Sequence, residues 1–236
     1  MLHAEREGKT ALSQRAIVRV DLNDQVYDSL KERLLTREFG GGEKLSLQTL
    51  ADELGVSRSP VHHALTRLVS EGLVLSERRG YRVRPLTARL MDEAHEARLA
   101  LELHAAELTV GRLSTEQLQT LRRLMERTLE PVEEEEIRDA RSYMLANKEF
   151  HEYQIDLASN SLISEMYRRL CIHQLMERTI LVLGVSAAGD STPEHTRIVE
   201  AFEAGDLEAA RAALRANVET GKRIAREAIE RADGTL

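Results

Sequence analysis

The fold of this chain is decided by residues 54–74, LGVSRSPVHHALTRLVSEGLV. The segment predicts a short helix that begins after Ser57 and ends at Gly72. Pro60 falls in the first turn, where the missing N–H breaks no helical hydrogen bond. The buried side of this helix is expected to consist of Val61, Leu65, Leu68 and Val69. The leading turn carries polar side chains instead, which indicates a surface that meets a partner.

The flanking segments complete a small domain. Residues 24–39 have apolar side chains at helical spacing, and residues 44–55 predict a second helix with Ser46 as N-cap and Gly55 at its end. Residues 73–86, LVLSERRGYRVRPL, predict two short strands around an Arg-Arg-Gly turn. Three helices followed by a hairpin predict a winged helix-turn-helix domain over residues 21–86, after a flexible tail at residues 1–20.

The second half of the chain predicts an all-α bundle over residues 87–236, so the fold class is mainly α. Five breaks separate the helical stretches: Gly111, Pro131, Ser159-Asn160, the segment GVSAAGDSTP and Gly205-Asp206. The predicted helices lie near 88–111, 115–129, 138–158, 161–184, 194–204 and 206–231. No strand is expected here, and the EEEE run at 133–136 is interpreted as a solvated helix start.

Charge is spread unevenly along the 236 residues, which carry a formal net charge of −7. Residues 56–84 contain six arginines against two glutamates, a local +4 that leaves −11 for the rest of the chain. A basic island in an acidic chain favours a local anionic partner. The single Cys171 fits a reducing compartment, and no apolar run reaches the length of a membrane span or a signal peptide core. The expected location is therefore the cytoplasm.

A helix-turn-helix inserts the leading turn of its second helix into the major groove of DNA. Arg58 is placed to reach a guanine or a phosphate, and Ser59 to donate to either. The turn at Arg78, Arg79 and Gly80 suits a wing, since arginine favours the negative potential of the minor groove. The alternative is a basic surface helix in an ordinary small domain.

The residues just described resemble the DNA-binding domain of the GntR family of bacterial transcription regulators. LADELGVSRSPVHHALTRLVSEGLV and RRGYRVRP carry this resemblance, which covers about residues 22–86. His62 stands where the family uses an arginine on DNA, and Gln48 where some members have another. The expected DNA-binding residues are Gln48, Ser57, Arg58, Ser59, His62, Arg67, Arg78, Arg79 and Gly80. The departures put the family's usual operator sequence in doubt.

The second half resembles the FCD, the ligand-binding domain of FadR-type GntR regulators, over about residues 88–230. Three stretches carry the resemblance: EARLALELHAAEL, NKEFHEYQIDLASN and EHTRIVEAFEAGDLEAARAALRANVE. The count of six helices favours the shorter, VanR-like form of this domain.

Three residues, Tyr143, Asn147 and His151, share one predicted helix face at i, i+4 and i+8. The FCD resemblance implies a divalent metal site made by an aspartate and three histidines. His151 and His195 match two of these ligands, whereas Asn147 replaces the aspartate and Asn217 the last histidine. Because an amide oxygen is a weak ligand for Zn²⁺, Ni²⁺ or Mn²⁺, two interpretations stay open: one loosely held metal ion per chain, or a purely organic pocket.

Arg98 matches an arginine that in this family often contacts the carboxylate of an effector. The alternative is an internal salt bridge with Glu102, one helical turn further on. The expected effector pocket comprises Arg98, Tyr143, Asn147, His151, His195 and Asn217. His95, His104 and His173 are expected at the surface or in packing roles, and Cys171 in the core.

These patterns predict a homodimeric transcription regulator, in the role of a repressor, that binds a palindromic operator and senses a small metabolite. Effector binding would shift the arrangement of the two DNA-binding domains about the linker at residues 85–87. The sequence also leaves two competing functions open. One is an architectural DNA-binding dimer without a ligand. The other is a helical metal-dependent enzyme, although the sequence offers no nucleophile motif, general base or phosphate loop for it.

Overall fold

A computed structural model of the protein describes residues 21–133, 136–137, 139–183 and 192–236, so the expected tail at 1–20 lies outside the described residues. In chain order the elements are α1 (Leu22–Leu35), β1 (Lys44–Leu45), α2 (Leu47–Leu54), α3 (Arg58–Ser70), β2 (Val74–Glu77), β3 (Gly80–Val83), α4 (Ala88–Thr109), α5 (Thr115–Leu129), β4 (Val132–Glu133), β5 (Glu136–Ile137), α6 (Ala140–Asp156), α7 (Ser161–Arg169), α8 (Ile172–Leu183), α9 (Thr192–Ala204) and α10 (Leu207–Arg231). The mainly helical fold class is confirmed.

The three helices and the hairpin of the first domain form as predicted. The Ser46 hydroxyl accepts a hydrogen bond from the Thr49 amide and caps α2, which ends at Gly55 in the left-handed conformation (φ 64°). Ser57 occupies the N-cap position of α3, but its side chain makes no capping hydrogen bond. The left-handed glycine supplies the tight turn that a helix-turn-helix needs between α2 and α3.

The apolar face of α3 packs against α1 and the sheet. Val61, Leu65 and Leu68 are fully buried as predicted, whereas Val69 is only partly buried. The sheet has the strand order β1-β3-β2, because residues 44–45 add an antiparallel strand beside β3. That strand was not predicted, since two residues immediately before a helix cap carry no strand pattern.

The predicted helix at 161–184 is wrong: it is two helices, α7 and α8. Cys171 lies between them with φ 53°, a left-handed conformation that an L-residue adopts only at a turn. No glycine or proline marks this bend. The described residues after Thr87 therefore hold seven helices, and the count that favoured the six-helix, VanR-like form does not stand. Cys171 is partly exposed at the bend and not a core residue.

The EEEE segment was also predicted incorrectly. Val132 and Glu133 pair antiparallel with Ile137 and Glu136 in a short hairpin, and the next helix starts only at Ala140, capped by Asp139. Residues 134–135 and 138 lie outside the described part of the chain. Like-charged neighbours do not identify a helix start by themselves, and the Asp139 cap was the better signal.

Several contacts join the two domains. Leu86 and Leu236 exchange two backbone hydrogen bonds (2.7 and 3.0 Å), which ties the segment after the wing to the residues that follow α10. The Arg178 side chain of α8 donates to the carbonyl of Arg84 across 2.7 Å. The ammonium of Lys31 on α1 lies 3.4 Å from a carboxylate oxygen of Glu177 on α8. The helix α8 therefore contacts both ends of the first domain.

No described helix combines the length and apolar character needed to span a membrane.

Candidate DNA-binding surface and buried polar cluster

The leading turn of α3 presents the polar surface that the sequence predicted. Ser57, Arg58, Ser59 and His62 are all exposed. The Arg58 guanidinium donates to the Gln48 side-chain oxygen across 2.5 Å, and the Gln48 amide donates to Asp52 across 2.6 Å. This chain of hydrogen bonds orients Arg58 from α2, so the guanidinium is fixed before any ligand arrives.

The wing lies beside this turn. Arg78 and Arg79 are exposed at the tip between β2 and β3, and Gly80 has φ 114°, which a side chain would strain. The Tyr81 ring of β3 packs edge-on against His62 with ring centroids 6.3 Å apart. The structure thus brings Gln48, Ser57, Arg58, Ser59 and His62 together and sets the wing residues next to them. Tyr81 was missed, because an aromatic in a strand is usually a packing residue.

Arg67 lies apart from the rest of the predicted DNA-binding residues. Its guanidinium stacks over the Tyr27 ring at 3.6 Å and pairs with Asp24 and Glu71 at 3.3 and 3.5 Å. The side chain is still half exposed, at 51%. Nine residues separate Arg67 from Arg58, which is two and a half helical turns, so the two point to opposite sides of α3.

The second group is a polar cluster buried in the bundle, centred on Arg98 of α4. Arg98 and Glu102 form a buried ion pair with Nε and Oε1 2.8 Å apart. Nη2 of Arg98 also donates to Oδ1 of Asn217 across 2.8 Å. Tyr167 donates its hydroxyl to the same Glu102 oxygen at 2.8 Å. The internal salt bridge, one of the two alternatives left open for Arg98, is therefore present.

The histidines of the cluster are buried and held neutral. His151 and His195 place their Nε2 atoms 3.3 Å apart, and His173 stacks on His151 with ring centroids 5.6 Å apart. Burial and the nearby Arg98 charge lower the pKa of His151 to about 4. Burial also lowers the pKa of His173 and of His195 well below the usual value. His173 thus belongs to the cluster, which the sequence had not indicated.

Glu102 stays ionised despite its complete burial. Burial alone would raise its pKa, but the Arg98 guanidinium and His151 outweigh that effect and hold the pKa well below the usual range. Its second oxygen, Oε2, is buried and has no hydrogen-bond partner among the described residues. Glu102 and Tyr167 were not predicted as site residues, although Glu102 had been considered as an ion-pair partner.

The four positions at which the resemblance implied a metal do not fit a divalent ion. His151 and His195 have the spacing of about 3.3 Å that two nitrogen ligands of one tetrahedral ion adopt. However, Asn217 gives its oxygen to Arg98, and Asn147 contacts His173 Nδ1 at 3.3 Å. Among the described residues no three His, Cys, Asp or Glu side chains form a possible metal group.

The position of Arg98 is the stronger objection to a metal. Its Nη2 lies 3.0 Å from Nε2 and 3.2 Å from Nδ1 of His151, so it is nearly equidistant from both ring nitrogens and lies over the ring. A divalent ion bound to His151 would sit beside this fixed positive charge in a region of low dielectric. The guanidinium of Arg98 therefore lies where it would repel a metal ion bound to His151.

A cavity of about 30 Å³ adjoins the cluster, enough for about one water molecule. Arg98, Tyr143, Asn147 and Asn217, four of the six predicted pocket residues, line it together with apolar side chains. His151 and His195 are not part of its lining. Met144, Met176 and Ile180 close it on the side of α6 and α8.

The two halves of the chain match two family models. Residues 22–83 match the bacterial regulatory proteins of the gntR family, and residues 93–220 match the FCD domain. The uncharacterized HTH-type transcriptional regulator YdhC of Bacillus subtilis is 30% identical over 194 residues, which are 79% of this chain and 83% of that protein. The gluconate operon transcriptional repressor of Bacillus subtilis is 31% identical over 180 residues, 76% of this chain and 72% of that protein.

The solved structure of E. coli McbR/YncC has the same fold. It superposes with a TM-score of 0.64 at 24% sequence identity and covers 88% of this chain and 98% of that chain. At this identity the likeness shows the fold alone. The matched families and the relatives are transcription regulators and not enzymes.

Proposed function

Because the chain belongs to the gntR family of bacterial regulatory proteins and carries an FCD domain, we propose that this DNA-binding regulator is a metabolite-responsive repressor. It binds a palindromic operator as a homodimer in the cytoplasm and is released by a small, carboxylate-bearing effector. The observation that carries the proposal is the exposed leading turn of α3, where Gln48 orients Arg58 beside a basic wing.

The operator contacts follow from this geometry. Arg58, held by Gln48, is placed for a bidentate contact with a guanine, and Ser59 and His62 lie on the same exposed side of α3. Arg78 and Arg79 extend along the neighbouring minor groove or backbone. Two such domains in a symmetric dimer would meet half-sites about 34 Å apart.

The role of repressor rests on what related proteins are named for. One relative is a gluconate operon transcriptional repressor, and another is a probable D-xylose utilization operon transcriptional repressor. For this chain, repression and release by an effector follow if the bundle holds the two DNA-binding domains in the spacing of the operator. An effector can then lower the affinity for DNA only to the extent that it binds more tightly to a different arrangement of the two domains.

The effector site is the cavity beside Arg98, and we propose that it works without a metal ion. Arg98 and Asn217, whose side chains both carry N–H donors, line it, and none of the described residues that line it is acidic. Such a surface favours an anionic oxygen. At about 30 Å³ the cavity must expand, and the flexible side chains of Met144 and Met176 are suited to that.

The helix α8 connects this cavity to the DNA-binding domain through three consecutive residues. Met176 lines the cavity, Glu177 pairs with Lys31 of α1, and Arg178 donates to the carbonyl of Arg84 at the end of the wing. A shift of α8 as the cavity expands therefore pulls on both contacts. The linker at residues 85–87 moves with this system, since Leu86 is tied by its backbone to Leu236.

A second function, an architectural DNA-binding dimer without a ligand, is favoured by one observation. Arg98 contacts Glu102 and His151, and His151 contacts His195, so the inner faces are already filled. Under this alternative the same operator binding is expected, but no small molecule alters it.

The proposal is tested by selecting DNA from a random pool with the full chain. The expected product is an inverted repeat whose half-sites are one helical turn apart. An Arg58→Ala variant should lose about 10- to 100-fold in affinity for that sequence, as expected for one bidentate base contact. Arg169→Ala is the matched control, because Arg169 is an exposed arginine of α7 that pairs with Glu165 in its own helix. Selection of no symmetric sequence, or equal losses in the two variants, would contradict the proposal.

A further inference from the structure

A second and larger cavity lies in the cleft between the two domains. Its volume is about 230 Å³, and one wall is α1 of the DNA-binding domain. The opposite wall is formed by α6 and α8 of the bundle. Leu35 of α1 and Leu181 of α8 supply apolar surface, and Leu181 is 46% exposed. This cleft is distinct from the small cavity beside Arg98.

Among the residues that the structure describes, one side chain borders both cavities. Met144 of α6 lines the interdomain cleft and also lines the cavity beside Arg98. On α8 the lining alternates: Met176 and Ile180 face the inner cavity, and Glu177 and Leu181 face the cleft. The contact of α6 with α8 at Met144 is therefore the partition between them. Methionine has three rotatable side-chain bonds and repacks at low cost, so this partition can open.

The polarity of the lining changes from the cavity beside Arg98 to the interdomain cleft. The inner end offers the guanidinium of Arg98 and the amides of Asn147 and Asn217, and no acidic residue among those described. The middle is methionine and aliphatic side chains. At the cleft end Leu35 and Leu181 supply apolar surface among five charged lining residues, Asp28, Lys31, Glu32, Arg141 and Glu177. Each cavity alone is smaller than most ligand sites, which measure about 300–1,000 Å³, but joined they approach that range.

We propose that the two cavities form one effector site, which takes an elongated monocarboxylate with an apolar body. The carboxylate lies at Arg98 and the two asparagines, and the apolar body passes Met144 into the cleft between α1 and α8. This inference rests on the proposed function, since it specifies the effector. It also explains how binding is read out: the apolar body touches the DNA-binding domain directly, so it favours some arrangements of the domains over others.

The test uses the full-length protein and straight-chain alkanoates from acetate to decanoate, with affinities measured by titration calorimetry. Acetate fills only the inner end and should bind weakly. Each added methylene that reaches the cleft should tighten binding about fourfold, the equivalent of burying one CH₂ group. An affinity that does not depend on chain length, or no binding by any member, overturns the proposal.

Two variants locate the apolar body. Leu181→Glu replaces apolar surface of the cleft by a further charge and should abolish the gain from longer chains, while acetate, which does not reach the cleft, binds as before. Leu162→Glu is the matched control, because Leu162 is 69% exposed on α7 and borders neither cavity. Equal chain-length gains in wild type and Leu181→Glu would contradict the assigned path. Operator binding without ligand is measured on the same samples. If the wild-type protein does not bind the operator, the result counts against the proposed regulator. If it binds the operator but no alkanoate, the result counts against this inference alone.

Discussion

Arg98 donates a hydrogen bond to the amide oxygen of Asn217 across 2.8 Å, so a cation of the chain itself contacts a residue at which the FCD resemblance implied a metal ligand. Both departures from the implied ligand set are consistent with this arrangement. A fixed guanidinium paired with Glu102 has no need of a further carboxylate at position 147, and it needs a neutral acceptor at position 217.

The first prediction concerns metal binding. Wild-type protein purified without chelators should hold no stoichiometric Zn, Ni or Mn by plasma mass spectrometry, and added Zn²⁺ should not raise its melting temperature. Asn147→Asp with Asn217→His restores the implied ligands but should still bind no metal, since Arg98 remains. Adding Arg98→Met and Glu102→Gln should create metal binding. Near-stoichiometric metal in the wild type or in the first variant would show that Arg98 does not exclude the ion.

The second prediction concerns the buried ion pair. Arg98→Met alone leaves the fully buried Glu102 carboxylate without its guanidinium and should cost about 3–5 kcal/mol of unfolding free energy. Arg98→Met with Glu102→Gln removes both charges and should cost much less. Urea denaturation at pH 7 measures both values. A single variant no less stable than the double variant would mean that Glu102 is not left as an uncompensated buried charge.

The third prediction concerns His62. Replacement by arginine adds a charge on the exposed side of α3 and should steepen the slope of log K against log salt for non-specific DNA by about 0.9, one phosphate contact. His104→Arg adds the same charge on the bundle, where the native side chain is 55% exposed, and should leave the slope unchanged. Identical slopes for the two variants would place His62 away from the DNA backbone.

The fourth prediction concerns pH. Burial lowers the pKa of His95 and of His151 to about 4, and each regains its ordinary value near 6.5 on unfolding. Between these values the unfolded chain binds more protons, so stability is full above about pH 6.5 and is lost as pH falls toward 4. Each of these two histidines should contribute a loss of about 2 kcal/mol between pH 7 and pH 5.

Urea midpoints across this pH range give the measurement. His95→Leu removes one of the two groups and should reduce the acid loss by its share, while His104→Gln on the exposed surface should not. An acid loss of the same size in His95→Leu and wild type would exclude His95 as a source.

The sequence was a good guide to the first domain because local signals there agree with one another. Ser46, Gly55 and Pro60 each fix a helix boundary, and the Arg-Arg-Gly turn fixes the hairpin. The bundle was harder. Its bend at Cys171 depends on a backbone conformation that no glycine announces, and the segment on both sides keeps helical periodicity.

The candidate site was predicted in part. Spacing along α6 correctly grouped Tyr143 and Asn147, and both line the cavity with Arg98 and Asn217. Spacing could not identify Tyr167 and His173, because they come from α7 and α8 and reach the cluster only through the packing of those helices. Nor could the sequence decide between the two partners of Arg98, since an i+4 glutamate and an external anion satisfy a guanidinium equally well.

One ammonium, that of Lys31, lies within 3.6 Å of Glu71 at the end of α3 and within 3.4 Å of Glu177 on α8. These three side chains are less than one-fifth exposed, so salt screens them less than it screens the wing, but it still weakens them. Raising the salt concentration therefore weakens the ion pairs between the DNA-binding domain and the bundle as well as the contacts with DNA. A salt titration of operator binding therefore reports two effects together: the loss of DNA contacts and the loss of ion pairs within the protein. Only the difference between matched variants separates counterion release from a change in the shape of the protein.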